Sequence, residues 1–238
     1  MVAEKLIGEF MFRLSQSYFY ALTIVLLFSF QQHSFAYSDG DVTEMSLVAS
    51  SNDVSLKFSN SIDKTRNSTI ELTWWQVFSE SIQAKVSLAY VELSQNSNST
   101  VLAYDASGYK LGVGFRGNAF NSEFLTVGLN VSFDYLSADG NNTQQETVQV
   151  TWFEYSGGVD LEFLPNNSVS ILTGASYTVI DGEHKTVDVA NSAVTYSEDT
   201  PEGYYAGVSF KSGQRGRINM TWHGGHSQGI YLSFSNHF

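Results

Sequence analysis

The chain has 238 residues, with 12 Lys and Arg against 24 Asp and Glu, which gives a formal net charge of −12. That sign disfavours a nucleic-acid partner. The absence of cysteine excludes a disulfide scaffold and a thiolate metal site. Two prolines, nineteen glycines and 14% aromatic residues suit strands joined by tight turns.

The amino-terminal segment has the layout of a cleaved secretory signal. Tyr18–Phe30 is an uncharged apolar run that is short for a membrane-spanning helix. The small residues Ser34 and Ala36 follow it, as a signal-peptidase site requires. We therefore predict a signal over residues 1–36, with Met11 as a candidate true start because acidic residues precede it. A membrane anchor is the alternative.

From residue 37 to residue 238 the dominant period is two, which predicts a single all-β domain. Apolar and polar residues alternate without interruption over Leu125–Tyr135. The polar positions carry mostly small residues and single charges, which suit the narrow interior of a small barrel better than the surface of a soluble β-sandwich. The same alternation recurs over residues 54–59, 70–75, 82–90, 109–116, 204–211 and 218–223.

The connections between these segments alternate between short and long. Short turns are predicted at Val77–Ser81, Gly117–Glu123, Leu164–Ser168 and Ser212–Gly216, and long ones at Asn60–Asn67, Ser94–Ser107, Ala138–Thr147, His184–Pro201 and Gly224–Gln228. This alternation predicts an antiparallel up-and-down β-barrel of ten strands, with eight strands as the alternative. The apolar positions change phase between Val148–Trp152 and Val159–Phe163, which predicts a β-bulge near Trp152–Gly158.

The last predicted strand ends on an aromatic residue and places Ile230, Leu232, Phe234 and Phe238 on one face. In this respect the chain resembles the small outer-membrane β-barrel proteins of Gram-negative bacteria (OmpA/OmpX-type, porin-like). The resemblance implies that these four residues form the signal read by the barrel-assembly machinery. It also implies a monomer in the outer membrane, in contact with membrane lipid and lipopolysaccharide.

Single charges on the polar faces of the strands predict a charged lumen. If they pair, they close the barrel and leave a structural protein or an adhesion platform. If some stay unpaired beside water, they line a small pore. The predicted lumen-lining residues are Lys57, Glu71, Lys85, Lys110, Arg116, Asp134, Asp160, Glu162 and Lys211.

One string matches a catalytic motif. Gly225–Gly229 reads Gly-x-Ser-x-Gly, the nucleophile elbow of α/β-hydrolases, around Ser227. Only one strand follows it, so a glycine hairpin is the better interpretation. We therefore predict no catalytic residue, no cofactor and no metal site. A rim enzyme of the lipase, lipid A-modifying or protease type, using His223 or His226, and a surface adhesin are the alternative functions.

Overall fold

The computed structural model describes residues 43–59, 61–79, 82–97, 100–166, 168–187, 189, 192–213 and 215–238. The predicted signal over residues 1–36 lies outside the described residues. In the described part of the chain, no helix is long and apolar enough to span a membrane.

The described chain folds into eleven β-strands, as the period of two predicts. They are β1 (Glu44–Phe58), β2 (Ser61–Ser79), β3 (Ile82–Gln95), β4 (Tyr104–Asn121), β5 (Leu125–Asn142), β6 (Thr147–Phe163), β7 (Val169–Thr186), β8 (Val194–Glu198), β9 (Glu202–Ser212), β10 (Gly216–Gly225) and β11 (Ser227–His237).

Ten of these strands close into an antiparallel ring. Strands β1 to β7 pair in chain order, β7 then pairs with β9, and β9, β10 and β11 follow in order. The ring closes where β11 pairs with β1, from Glu44 opposite His237 to Val54 opposite Ser227. The predicted ten-stranded barrel is therefore confirmed. We call the end of the barrel at Glu44 and His237 the terminal end, and the opposite end the loop end.

The short strand β8 narrows the loop end. Strands β9, β10 and β11 have 10 or 11 residues, whereas β7 has 18 and reaches beyond them. In the gap that they leave, β8 pairs with Asp181–His184 of β7 on one side and with Leu56–Phe58 of β1 on the other. The wall therefore contains ten strands at the terminal end but eight at the loop end.

One of the predicted long connections is wrong. Residues 61–67 lie in β2, where Phe58 pairs with Ser61. The β10–β11 ladder ends where His223 lies opposite Gly229, so the predicted connection Gly224–Gln228 is the hairpin loop. Gly225 in this loop has a φ of +82°, which glycine adopts without strain. Residues 61–67 are polar although they are paired, so polarity alone does not mark a loop here.

Most long strands change their apolar face along their length. In β3, Val86 and Leu88 are exposed on the outer face, whereas Val91 and Leu93 are buried inside the barrel. Strand β6 behaves in the same way, with Trp152 inside and Val159 outside.

The predicted bulge near Trp152–Gly158 is therefore wrong, because β6 pairs with β5 and β7 without a register shift. The phase of the apolar residues changes because the interior is polar near the terminal end and apolar near the loop end. The ladders shift register elsewhere, at Val77/Ser79 and Asn118/Phe120 beside the terminal-end turns.

Candidate functional site

The candidate functional site is the interior of the barrel. The interior is charged towards the terminal end, a part that we call the lower lumen, and apolar towards the loop end. Among the predicted lumen residues, the prediction for Lys57 is wrong. Its side chain is exposed on the outer face, because its neighbours Leu56 and Phe58 are the ones buried inside. The other eight side chains lie on the inner face, with Lys211 at the terminal mouth: Glu71, Lys85, Lys110, Arg116, Asp134, Asp160, Glu162 and Lys211.

In the middle of the lumen, Lys110 is the shared partner of several carboxylates. Its Nζ lies 3.1 Å from Oε2 of Glu71, and both side chains are largely buried. Asp134 and Glu154 add to the negative potential around the ammonium group. Asp134 lies directly opposite Glu154 in the β5–β6 ladder, and β4, which carries Lys110, pairs with β5. Glu71 and Lys110 lie on β2 and β4, which are separated by β3, so their side chains reach across the intervening strand on the inner face.

Near the terminal end, two arginines hold further carboxylates. Arg116 forms an ion pair with Glu44, donates from Nε to Gln83 Oε1 at 2.6 Å, and lies 4.1 Å from the ring centroid of Trp75. Arg217 forms an ion pair with Glu162. Neither Glu44 nor Arg217 was among the predicted lumen residues. Each of the two charged residues is followed by an apolar residue, Met45 or Ile218, and this alternation could have predicted them on the inner face.

Asp160 is held by neutral donors instead. Asn130 Nδ2 donates to it at 2.6 Å, and the Tyr205 hydroxyl donates at 2.7 Å. The ring of Tyr205 in turn stacks on His223 at a centroid distance of 5.2 Å. The lower lumen is therefore crossed by side chains that bind one another.

Towards the loop end, the interior is filled by buried apolar side chains, which we call the outer apolar cluster. Trp152, Leu56 and Leu136 in this cluster are at most 1% exposed. The ring of Tyr196, from β8, packs against Phe58 and Trp152. The cluster consists of Val54, Leu56, Phe58, Ala89, Val91, Leu93, Val101, Tyr104, Ala106, Leu136, Ala138, Val148, Val150, Trp152, Ile180 and Tyr196.

The Gly-x-Ser-x-Gly segment lies at the hairpin that joins β10 and β11. Ser227 Oγ accepts from Asn52 Nδ2 at 2.6 Å and contacts the Tyr231 hydroxyl at 3.0 Å. His223 Nε2 contacts Thr221 Oγ1 at 3.0 Å instead. Among the described residues, Ser227 Oγ has no imidazole partner, which a serine nucleophile requires.

The four residues of the predicted assembly signal lie on the outer face of the barrel. Ile230, Phe234 and Phe238 are about half exposed there, and Leu232 is half-buried. The backbone N–H of Phe238 donates to the carbonyl of Thr43 at 2.8 Å, so the last residue continues the closing ladder.

The outer face carries a continuous apolar band over the terminal-end part of the strands. Exposed side chains such as Val86, Leu111, Val131 and Phe133 form it, and exposed aromatic residues such as Tyr90, Tyr109 and Tyr177 border it towards the loop end. A closed ring with an apolar outside satisfies its backbone hydrogen bonds internally, as a membrane span must.

No family model matches the sequence, and no curated protein is significantly similar to it. Among solved structures, the translocator domain of the autotransporter NalP from Neisseria meningitidis matches with a TM-score of 0.51 and 11% identity, over 94% of this chain and 97% of that one. The chain has the fold of a Gram-negative outer-membrane β-barrel.

Two further similar structures are an outer-membrane channel from Pseudomonas putida F1 and the outer-membrane protease OmpT from Escherichia coli. The channel has a TM-score of 0.46 and 11% identity, over 85% of this chain and 97% of its own. OmpT has a TM-score of 0.45 and 6% identity, over 86% of this chain and 96% of its own. At these identities the likeness extends to the fold alone.

Proposed function

We propose that this barrel is a structural protein of the outer membrane, closed to solutes, that displays its loop end on the cell surface. The observation that carries the proposal is the outer apolar cluster, which occupies the interior where a pore would need water. A diffusion pore keeps a polar, hydrated lumen along its whole length.

The strand count supports a closed interior. The cluster lies in the part of the barrel where β8 reduces the wall to eight strands. An eight-stranded barrel is just wide enough for its own side chains to fill. Side chains from β1, β3, β5, β6, β7 and β8 meet there, among them the fully buried Leu56, Leu136 and Trp152.

The lower lumen supports the same conclusion. Glu71, Glu44 and Glu162 pair with Lys110, Arg116 and Arg217, and each pair joins strands that are not neighbours in the ring. A paired charge leaves no net field for solute selection, whereas a filter depends on groups that face water. The lumen charges therefore suit a filled core.

The shape of the outer face supports surface display. Beyond the apolar band, the same strands carry outward polar side chains, including Glu92, Asp105, Asp139 and Glu183. The barrel wall would then project past the lipid into the extracellular medium. The apolar band below would contact membrane lipid.

Single-channel recording of the refolded protein in planar bilayers tests the proposal. We expect no discrete conductance from the unmodified barrel. Trp152→Ser combined with Leu136→Ser should open hydrated space in the cluster and produce conductance steps, at a cost of several kcal/mol in stability. The matched control is Phe153→Ser combined with Tyr135→Ser, which changes outward-facing side chains and should stay closed.

A steady porin-like conductance of the unmodified protein would contradict the proposal. So would equal conductance in the inward-facing and the outward-facing double variants, because the cluster would then not be the barrier.

A further inference from the structure

A cavity of about 300 Å³ lies at the loop end, among the connections that join β3 to β4, β5 to β6 and β7 to β8. It lies outside the charged lumen and borders the outer apolar cluster, since Val101 of that cluster lines it. It is lined by Thr100, Val101, Leu102, Asn142, Glu146, His184, Thr186, Ser192 and Val194.

His184 is the unusual member of this lining. It is only 4% exposed, and its ring packs on Tyr104 at a centroid distance of 5.0 Å. Neither Nδ1 nor Nε2 forms a hydrogen bond with another residue of the described chain. Buried polar groups are normally paired, so an imidazole with two unpaired nitrogens that lines a cavity points to a ligand.

The protonation of His184 limits the kind of ligand. Burial lowers the pKa of this imidazole below its ordinary value of 6.5. At neutral pH the ring is therefore uncharged, with one nitrogen as donor and the other as acceptor. The titratable groups that face it are Tyr104 on β4 and Glu146 in the β5–β6 hairpin.

Glu146 is held in place at the side of the cavity. Asn142 Nδ2 donates to its Oε2 at 2.8 Å, and Asn142 Oδ1 accepts from the backbone N–H groups of Gln144 and Glu146. This arrangement orients the carboxylate at the side of the cavity. Val194 and Leu102 supply apolar surface to the same cavity.

These features exclude two ligand classes. None of the described residues that line the cavity is Lys or Arg, so an anion would meet a carboxylate without a counter-charge. The described residues also contain no group of three or more His, Cys, Asp and Glu able to hold a metal ion. An uncharged imidazole beside a carboxylate and apolar side chains suits a neutral ligand that both donates and accepts hydrogen bonds.

We propose that this cavity binds a single neutral sugar residue, with its hydroxyl groups on His184 and Glu146 and its C–H surface on Val194 and Leu102. Its volume lies at the lower limit for small-molecule sites, which suits one hexose unit. The inference rests on the proposed display of the loop end, because only there would the cavity meet an extracellular glycan.

Titration of the refolded barrel in detergent tests the proposal, with saturation-transfer NMR as the readout and glucose, galactose, mannose and N-acetylglucosamine as probes. We expect saturable binding of at least one of them. His184→Phe keeps a ring against Tyr104 but removes both nitrogens, so it should weaken binding at least tenfold. Leu102→Trp should block binding by filling the cavity from the loop side.

The matched control is Lys185→Gln, which alters the next residue of β7 but lies on the outer face and should bind like the unmodified protein. Binding of none of the sugars would overturn the proposal. So would binding that both cavity variants leave unchanged, or His184-dependent binding of ethanolamine or inorganic phosphate in place of a sugar. Sugar binding in the titration does not depend on whether the barrel conducts. A failure to bind sugar would therefore contradict the sugar site alone, and a conducting barrel would contradict the proposed closed barrel alone.

Discussion

At the scale of single residues, Lys110 in the lumen interacts with more carboxylates than Glu71 does with ammonium groups. Lys110 interacts with Glu71, Asp134 and Glu154, whereas Glu71 interacts with Lys110 and Lys85. The ammonium group is therefore the harder one to replace. Breaking a buried pair by removing one partner leaves an uncompensated charge, which costs far more than the pair contributes.

Lys110→Met should therefore destabilise the barrel by about 3–5 kcal/mol, because it leaves neighbouring carboxylates without their cation. Glu71→Gln should cost clearly less, because Asp134 and Glu154 still face Lys110. Urea unfolding of the refolded protein, followed by tryptophan fluorescence, measures both. Equal losses, or a larger loss for Glu71→Gln, would mean that Lys110 is not the shared partner.

At the scale of elements, most long strands serve two environments. In β5, the outward-facing Val131 lies in the apolar band, whereas the outward-facing Asn141 lies beyond it. The inward positions change in the opposite sense, from Asp134 to the buried Leu136 and Ala138. Such a strand has the residue pattern of a membrane barrel at one end, apolar outside and polar inside. At the other end it has the pattern of a soluble barrel, polar outside and apolar inside.

Val131→Arg should cost about 2–4 kcal/mol, because it places a guanidinium on the lipid face near mid-strand. Asn141→Arg is the matched control, on the same strand and the same outer face but beyond the band, and should cost little. The measurement is reversible unfolding of each variant in lipid vesicles. If both substitutions cost the same, the band does not face lipid.

At the scale of the whole molecule, closure of the ring determines stability. The β1–β11 ladder joins the first and last strands over eleven residue pairs and leaves the ten-stranded ring without a free edge. Without an edge, the sheet offers detergent and other chains no unpaired backbone groups to attack.

In dodecyl sulfate gels, the unheated protein should therefore stay folded and migrate faster than the boiled, unfolded protein. In cell fractionation, it should be recovered with the outer membrane. Ser233→Pro removes a ladder donor in β11 and should abolish the folded band, because proline does not fit a paired strand. Ser233→Ala, which removes only a side-chain bond to Asn219, should retain it. Recovery of the unmodified protein in the soluble periplasmic fraction would contradict the membrane assignment.

Several features of the molecule follow from the sequence by itself. A side-chain period of two separates the two faces of every strand, whatever surrounds the sheet. Together with the alternation of short and long connections, that period predicts an antiparallel barrel of ten or eight strands and places Glu71, Lys110 and Asp134 on its inner face.

Only the tertiary structure decided which face is apolar at each level of the barrel. Alternation distinguishes two sides of a strand but does not say whether lipid or a packed interior covers the apolar one. For this reason the alternation predicts Lys57 in the lumen and a bulge in β6, and both predictions are wrong. The pairing of β8 with β1 and β7, and with it the outer apolar cluster, depends on contacts between residues far apart in the chain. No local pattern encodes such contacts, because they form only when the ring closes.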